Sequence, residues 1–134
     1  MATEQRLSLF WIFLTVNYIY CDVFSLHDAA TLKELMTGVV GGMEINQTFL
    51  AAFAVVMELP MIMIVLSRLL PAAINRWANV VIGVVLAAIQ IWSLTVGSVL
   101  LHYAFFSVVE IATLAIIVWT AFTWREPAMA KAAA

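Results

Sequence analysis

The chain has 134 residues, of which 66% are hydrophobic and only 10% charged, and its formal net charge is −2. A soluble domain is nearer half apolar and a quarter charged, so this composition excludes an ordinary soluble domain and a disordered segment. A nucleic-acid-binding protein needs a basic surface, so we expect no nucleic-acid partner. The single cysteine, Cys21, excludes an internal disulfide. We therefore predict a small integral membrane protein surrounded by the lipid bilayer.

Four segments are long and apolar enough to cross a membrane, which takes about 20 residues as a helix. They are residues 7–26, 47–70, 77–100 and 103–124. Between the first two, Asp28 is a good helix N-cap and Gly38 a good helix terminator, so we predict a short amphipathic helix over Ala29–Thr37. The predicted fold class is all-α, a four-transmembrane-helix bundle that forms a single domain over residues 1–134.

Lysine and arginine concentrate at both termini and in the middle connection. Arg6 precedes the first span, Arg68 and Arg76 flank the second connection, and Arg125 and Lys131 follow the last span. The first connection holds one lysine among three acids, and the third holds no lysine or arginine. Because positive residues mark cytoplasmic loops, we predict that both termini are cytoplasmic (N-in/C-in) and that the short helix lies outside.

Polar and small residues recur in each span at alternating steps of three and four residues, which is typical of the buried face of a left-handed helix bundle. The predicted stripes are Ser8, Trp11, Thr15, Tyr18, Asp22 and Ser25; Gln47, Ala51, Ala54, Glu58 and Met61; Asn79, Gly83, Leu86, Gln90, Ser93 and Gly97; and Tyr103, Ser107, Glu110 and Thr113 or Leu114. We expect the other faces to contact lipid. We expect the cytoplasmic half of the bundle interior to hold fewer polar residues than the outer half.

Three of these stripes pass through a carboxylate, and a carboxylate in hydrocarbon costs about 2.5 kcal/mol or more. With a rise of about 1.5 Å per residue, Asp22 and Glu110 lie in the outer half, and Glu58 and Gln90 lie near the midplane. We therefore predict an outward-opening, acid-lined pocket that ends near Glu58. Its candidate ligand-binding residues are Glu58, Glu110, Asp22, Gln90, Tyr18 and Asn17.

No lysine or arginine lies deep inside a span, so these acids are either protonated or hold a cation or a protonated ligand. Pro60 frees the carbonyl of Val56 within one turn of Glu58, which adds an acceptor to the site. The structural alternative is that neutral acids join helices by hydrogen bonds. Such bonds contribute only about 0.6 kcal/mol on average, which is a weak reason to keep three acids.

Two histidines, His27 and His102, fall at the outer boundary and are the candidates for zinc or haem ligands. The chain has no pair of ligand residues at i and i+4, and a histidine at a helix end is ordinarily solvated. We therefore predict no metal site and no cofactor.

Three local patterns carry a resemblance to a known family: Asn17-Tyr18-x-Tyr20-x-Asp22, Met57-Glu58-x-Pro60 and Asn75-Arg76-Trp77-Ala78-Asn79. With them the chain resembles an uncharacterised family of small bacterial four-helix integral membrane proteins, and is loosely similar to the DoxX-like proteins. The resemblance implies a multi-pass protein of the bacterial inner membrane. It implies no particular activity.

Three functions remain open. The favoured one is binding or transport of a protonatable or cationic small molecule at Glu58, with Glu110 and Asp22 on the entry path; transport would need a homodimer. The second is an enzyme that acts on a lipid, quinone or isoprenoid with Glu58 and Glu110 as acid and base. The third is a structural or accessory membrane subunit.

Overall fold

The computed structural model describes residues 1–125, and its secondary structure is almost entirely helical. In chain order the elements are α1 (Thr3–Ser25), α2 (Ala29–Thr37), β1 (Val39–Val40), β2 (Met43–Glu44), α3 (Gln47–Leu69), α4 (Ala72–Ser93) and α5 (Leu101–Phe122). Four of the helices are long and apolar enough to cross a membrane, namely α1, α3, α4 and α5. Lys131, which contributes to the predicted orientation, lies outside the described residues.

The connection between α1 and α3 follows its local capping signals. Asp28 accepts hydrogen bonds from the Thr31 N–H (2.9 Å) and the Thr31 hydroxyl (2.8 Å) at the start of α2. Gly38 ends α2 with φ of +77°, a left-handed conformation that favours glycine. The predicted short helix is therefore confirmed. The small antiparallel hairpin of β1 and β2 that follows it was not predicted from the sequence.

The third predicted span, 77–100, is displaced along the chain in the structure. Its helix begins at Ala72, directly after Pro71, and ends at Ser93. The apolar residues that follow form a turn instead, in which Gly97 has φ of +67° and packs against Gly41 of the hairpin turn, where an added Cβ on Gly97 would lie 3.3 Å from the Gly41 Cα. These apolar residues therefore pack in a contact between two loops. Hydropathy alone does not distinguish such a loop from a membrane-spanning segment.

The four long helices pack in a ring in which α1 contacts α3 and α5, and α4 contacts α5 and α3. Their buried apolar side chains form one core: Leu7, Trp11, Leu14, Tyr18, Met63, Leu86, Leu114, Ile117, Ala121 and Trp124. Gly83 allows α4 and α5 to approach closely, because an added Cβ there would lie only 2.7 Å from the Val118 Cγ2. This close approach is what the small residue in the predicted α4 stripe indicates.

Three of the four predicted stripes face the interior, and the stripe on α3 does not. The buried residues include half of the predicted set on α1 and most of the predicted sets on α4 and α5. On α3 the predicted members Gln47, Ala51, Ala54, Glu58 and Met61 are all exposed, and the buried residues are Pro60, Met63 and Ser67. That prediction is wrong because it assumed that the polar residues of α3 face the bundle interior. The buried set has the same three-and-four spacing, so spacing alone fits both faces of α3.

Candidate functional site

Glu110 on α5 is the most buried carboxylate in the described chain. Its side chain is 1% exposed, and its Oε1 is buried and has no hydrogen-bond partner among residues 1–125. Ser107 and Thr113 are buried on the same face of α5, one turn to either side. A buried polar atom without a partner is costly, and such atoms in folded proteins call for an explanation, of which a missing ion is one.

The surroundings of Glu110 come from α1 and from the start of α5. Tyr18 and Cys21 are 8% and 4% exposed, and both lie within electrostatic range of the Glu110 carboxyl. Tyr103 and Asp22 are also within this range. Asp22 is the second carboxylate of this region. The structure therefore brings together three predicted site residues, Glu110, Asp22 and Tyr18.

Two pairs of polar side chains near this level are joined by hydrogen bonds. Gln90 Nε2 donates to Ser107 Oγ (2.9 Å), which joins α4 to α5 one turn before Glu110. The hydroxyls of Ser93 and Tyr103 share a hydrogen bond of 2.6 Å. Gln90 therefore lies beside the Glu110 region as predicted, but its amide nitrogen already has a partner. Glu110 differs from these groups because its Oε1 has no hydrogen-bond partner in the described chain.

A cleft of about 150 Å³ lies between α1 and α3, next to this region. Its walls are Thr15, Tyr18, Ile19 and Asp22 of α1, and Met57, Pro60 and Met61 of α3. Asp22 is exposed, whereas Tyr18 is buried. Tyr18 and Asp22 both line the cleft and are within electrostatic range of Glu110, so the cleft and the buried acid have these two residues in common.

Two predicted site residues lie elsewhere. Glu58 is exposed on α3, so the prediction that it faces the bundle interior and forms the end of the pocket is wrong. The reason is the orientation of α3, which turns Pro60 and Met63 inwards instead. Asn17 is half-buried, and its Nδ2 donates to the Phe13 carbonyl of the same helix (2.9 Å). A ligand-binding role for Asn17 stays a prediction, and the exposed Glu58 lies outside the site around Glu110.

A second polar cluster occupies the end of the bundle near the α3–α4 connection. Asn79 Oδ1 accepts hydrogen bonds from Trp11 Nε1 (2.6 Å) and Ser67 Oγ (3.2 Å). Asn79 Nδ2 donates to the carbonyl oxygen (2.8 Å) and Oδ1 (2.7 Å) of Asn75, whose own Nδ2 donates to the Ser67 carbonyl (2.7 Å). The expectation that the interior holds few polar residues at this end is therefore wrong. The pair of asparagines at i and i+4 was the missed signal.

This second cluster is structural in character. The side chains of Asn75, Asn79, Trp11 and Ser67 are all fully buried. Each of their amide, indole and hydroxyl groups has a partner within the cluster. Such a saturated network fixes the positions of three helices and offers no free group to a ligand.

The two histidines are engaged separately. His27 Nδ1 is 2.8 Å from the Val23 carbonyl oxygen in the last turn of α1, and His102 Nε2 is 3.2 Å from the Ser25 hydroxyl. In residues 1–125, no group of three or more histidine, cysteine, aspartate or glutamate side chains is arranged to hold a metal ion.

Comparison with known proteins identifies a family but not an activity. The model of one family, described as a Family of unknown function (DUF6326), matches residues 2–131. No curated protein and no solved structure matches the chain. The resemblance to an uncharacterised family is thereby confirmed, whereas nothing supports the looser likeness to the DoxX-like proteins. Because the matching model covers nearly the whole sequence, the chain belongs to the Family of unknown function (DUF6326).

Proposed function

We propose that this protein binds a protonatable or cationic small molecule at Glu110, with Asp22 as the second acid of the site. The observation that supports this most directly is the buried Oε1 of Glu110, which has no hydrogen-bond partner in the part of the chain that the structure describes. A proton or a bound cation can supply the missing partner. Structural acids in a helix bundle hydrogen-bond to a neighbouring helix, and Oε1 of Glu110 does not.

The cleft between α1 and α3 gives the ligand its approach. Asp22 is exposed on the wall of this cleft and attracts a cation. Tyr18 lines the cleft and is within electrostatic range of Glu110, so we propose that its ring moves when a ligand reaches the buried acid. The volume of about 150 Å³ suits a small amine or a partly hydrated ion.

The geometry favours binding over the catalytic alternative. An acid–base enzyme of the kind considered from the sequence needs Glu58 and Glu110 on the same substrate. Glu58 is exposed on α3, and Asp22 is the carboxylate within electrostatic range of Glu110. Transport would be a further step, and we propose that it requires a homodimer, because Glu110 is enclosed within one four-helix bundle.

For the membrane setting we propose the bacterial inner membrane with both termini in the cytoplasm. The distribution of Arg6, Arg68, Arg76 and Arg125 supports this orientation. It places α2, the hairpin and the approach to Glu110 on the outer side. Met36→Cys on exposed α2 should then react with a membrane-impermeant maleimide in intact cells, and Arg125→Cys only after permeabilisation. The reverse pattern would invert the topology.

The binding proposal is tested with hexylamine, which is protonated at neutral pH. Equilibrium dialysis of the radiolabelled amine against protein in lipid nanodiscs, with empty nanodiscs subtracted, measures binding above simple partition into lipid. Glu110→Gln should lower the affinity about tenfold or more, since it removes the charge that pairs with the ammonium group. Glu58→Gln is the matched control and should bind as the wild type does. Equal binding by wild type and Glu110→Gln would refute the proposal.

A further inference from the structure

An apolar groove of about 510 Å³ runs along the outer surface of the bundle between α4 and α5. All of its lining side chains are apolar, among them Val84, Ala88 and Ile91 of α4, and Ala115, Val118 and Phe122 of α5. It extends over residues 111–122 of α5, about 16 Å at the rise of an α-helix. The alanines create the groove because they leave space between larger neighbours.

One end of this groove carries a cationic group. The guanidinium carbon of Arg76, in the first turns of α4, is 5.7 Å from the ring of Phe122 and 5.5 Å from the ring of Trp77. Phe122 also lines the groove, so the positive charge and the apolar channel adjoin. The Nε of Arg76 is buried and has no hydrogen-bond partner within the described chain. This N–H is a strong donor that is held in place by two aromatic rings and lacks an acceptor.

We propose that this groove binds an anionic phospholipid, with an acyl chain along α4 and α5 and the phosphate on Arg76. Several of the groove's walls, such as Val84, Trp119 and Phe122, are exposed on the face of the bundle that lipid would contact. The charge at the groove's end selects an anionic headgroup, and the planar guanidinium matches a phosphate group with two donors. The site involves neither Glu110 nor Asp22, so it is independent of the proposed function.

The orientation proposed above supports the same assignment. Arg76 follows the α3–α4 connection, which that orientation places at the cytoplasmic surface of the membrane. Anionic lipids are enriched in this leaflet, and basic pockets between transmembrane helices on this side recognise their headgroups. A neutral phospholipid would fill the apolar groove equally well, but it would gain less from Arg76.

The test counts the lipids that remain bound to the purified protein in native mass spectrometry after titration with phosphatidylglycerol or phosphatidylcholine of identical chains. We expect the wild type to retain phosphatidylglycerol preferentially. Arg76→Gln should reduce this preference about tenfold, the effect of losing one hydrogen bond to a charged group. Arg68→Gln is the matched control, because Arg68 is exposed in the last turn of α3 at the same end of the bundle. Equal loss in both variants would overturn the proposal.

A second variant addresses the groove itself and does not depend on Arg76. Ala88→Trp fills the groove and should reduce retention of both lipids, whereas Val108→Trp on an exposed part of α5 outside it should not. Inorganic phosphate should fail to displace the bound lipid, since it lacks the acyl chain; displacement would assign Arg76 to free phosphate. If Ala88→Trp changes the oligomeric state and leaves lipid retention unchanged, a second copy of the chain occupies the groove and the proposal is wrong.

Discussion

At the scale of single residues, the two polar regions of the bundle differ in whether their hydrogen bonds are complete. Asn75 and Asn79 are fully buried and have partners for both their amide groups. Glu110 is buried to the same degree, yet its Oε1 has no partner. Proteins tolerate such unsatisfied groups mainly where function requires them, at a cost in stability. The contrast predicts opposite effects of apolar substitution in the two regions.

Replacing Glu110 with methionine should stabilise the protein and abolish amine binding. The substitution removes a buried unpaired oxygen, whose burial costs about 1–3 kcal/mol, and keeps a similar side-chain volume. Unfolding is followed in detergent by the reactivity of the buried thiol of Cys21 towards a fluorogenic maleimide. Glu58→Met is the control and should change stability by less than about 0.5 kcal/mol, because Glu58 is exposed. A lower stability of Glu110→Met would indicate a structural role for the carboxyl.

Asn79→Ala should have the opposite effect in the same assay. It leaves the Trp11 indole N–H and the Ser67 hydroxyl without their acceptor in a fully buried region. We expect a loss of about 1–3 kcal/mol, the cost of an unsatisfied buried donor. Asn17→Ala is the matched control, since Asn17 bonds only within its own helix. Losses of the same size in both variants would show that the buried cluster has no special importance.

At the scale of secondary-structure elements, the separation of α4 and α5 depends on Gly83. An alanine there would place its Cβ about 2.7 Å from the Val118 Cγ2, and valine has little freedom to move away. Gly83→Ala should therefore lower stability by about 1–3 kcal/mol through overpacking. Val118→Ala in the same chain should recover most of that loss. Absence of recovery in the double mutant would place the strain elsewhere.

The short helix α2 depends on the charge of its N-cap residue. The Thr31 N–H, followed by the Thr31 hydroxyl, holds the pKa of Asp28 below its ordinary value of 3.8. A lowered folded-state pKa means that the stabilisation is complete above the ordinary value, and is lost as the pH falls through the folded-state value. The protection factor of the Thr31 amide in hydrogen exchange should decrease in that acid range. In Asp28→Asn, whose side chain can cap the helix but has no carboxyl group to titrate, the protection factor should not decrease. An equal decrease in both proteins would contradict this explanation.

At the scale of the whole molecule, the sequence was sufficient for the features that depend on local properties. Hydrophobic length identified four spans, and the predicted 47–70 nearly coincides with α3 (Gln47–Leu69). Asp28 and Gly38 located α2 because capping is decided within a few residues. The prediction of a span over 77–100 was wrong at both ends, because the helix begins at Ala72 and ends at Ser93. The last apolar residues of the predicted span pack in a loop against the hairpin.

The candidate site was predictable only in part, because its composition depends on how helices turn towards one another. Glu110 and Tyr18 were identified correctly as interior residues, since each belongs to a stripe that packs against another helix. Glu58 was not, because α3 packs through Pro60, Met63 and Ser67. The choice between these two faces of α3 depends on contacts from α1, such as the bond from Ser8 Oγ to the Ile64 carbonyl (2.8 Å). Periodicity within α3 does not contain that information.

In the proposed site, Glu110 is a neutral acid without a hydrogen-bond partner in the described chain, and a bound cation replaces its proton, which leaves to solvent. Infrared difference spectroscopy of the protein in nanodiscs, on addition of hexylamine, measures this directly as the loss of a protonated carboxyl C=O band. We expect the band to disappear in the wild type and in Glu58→Gln, and the change to be absent in Glu110→Gln. A difference band that persists in Glu110→Gln, or no carboxyl change in the wild type, would contradict it.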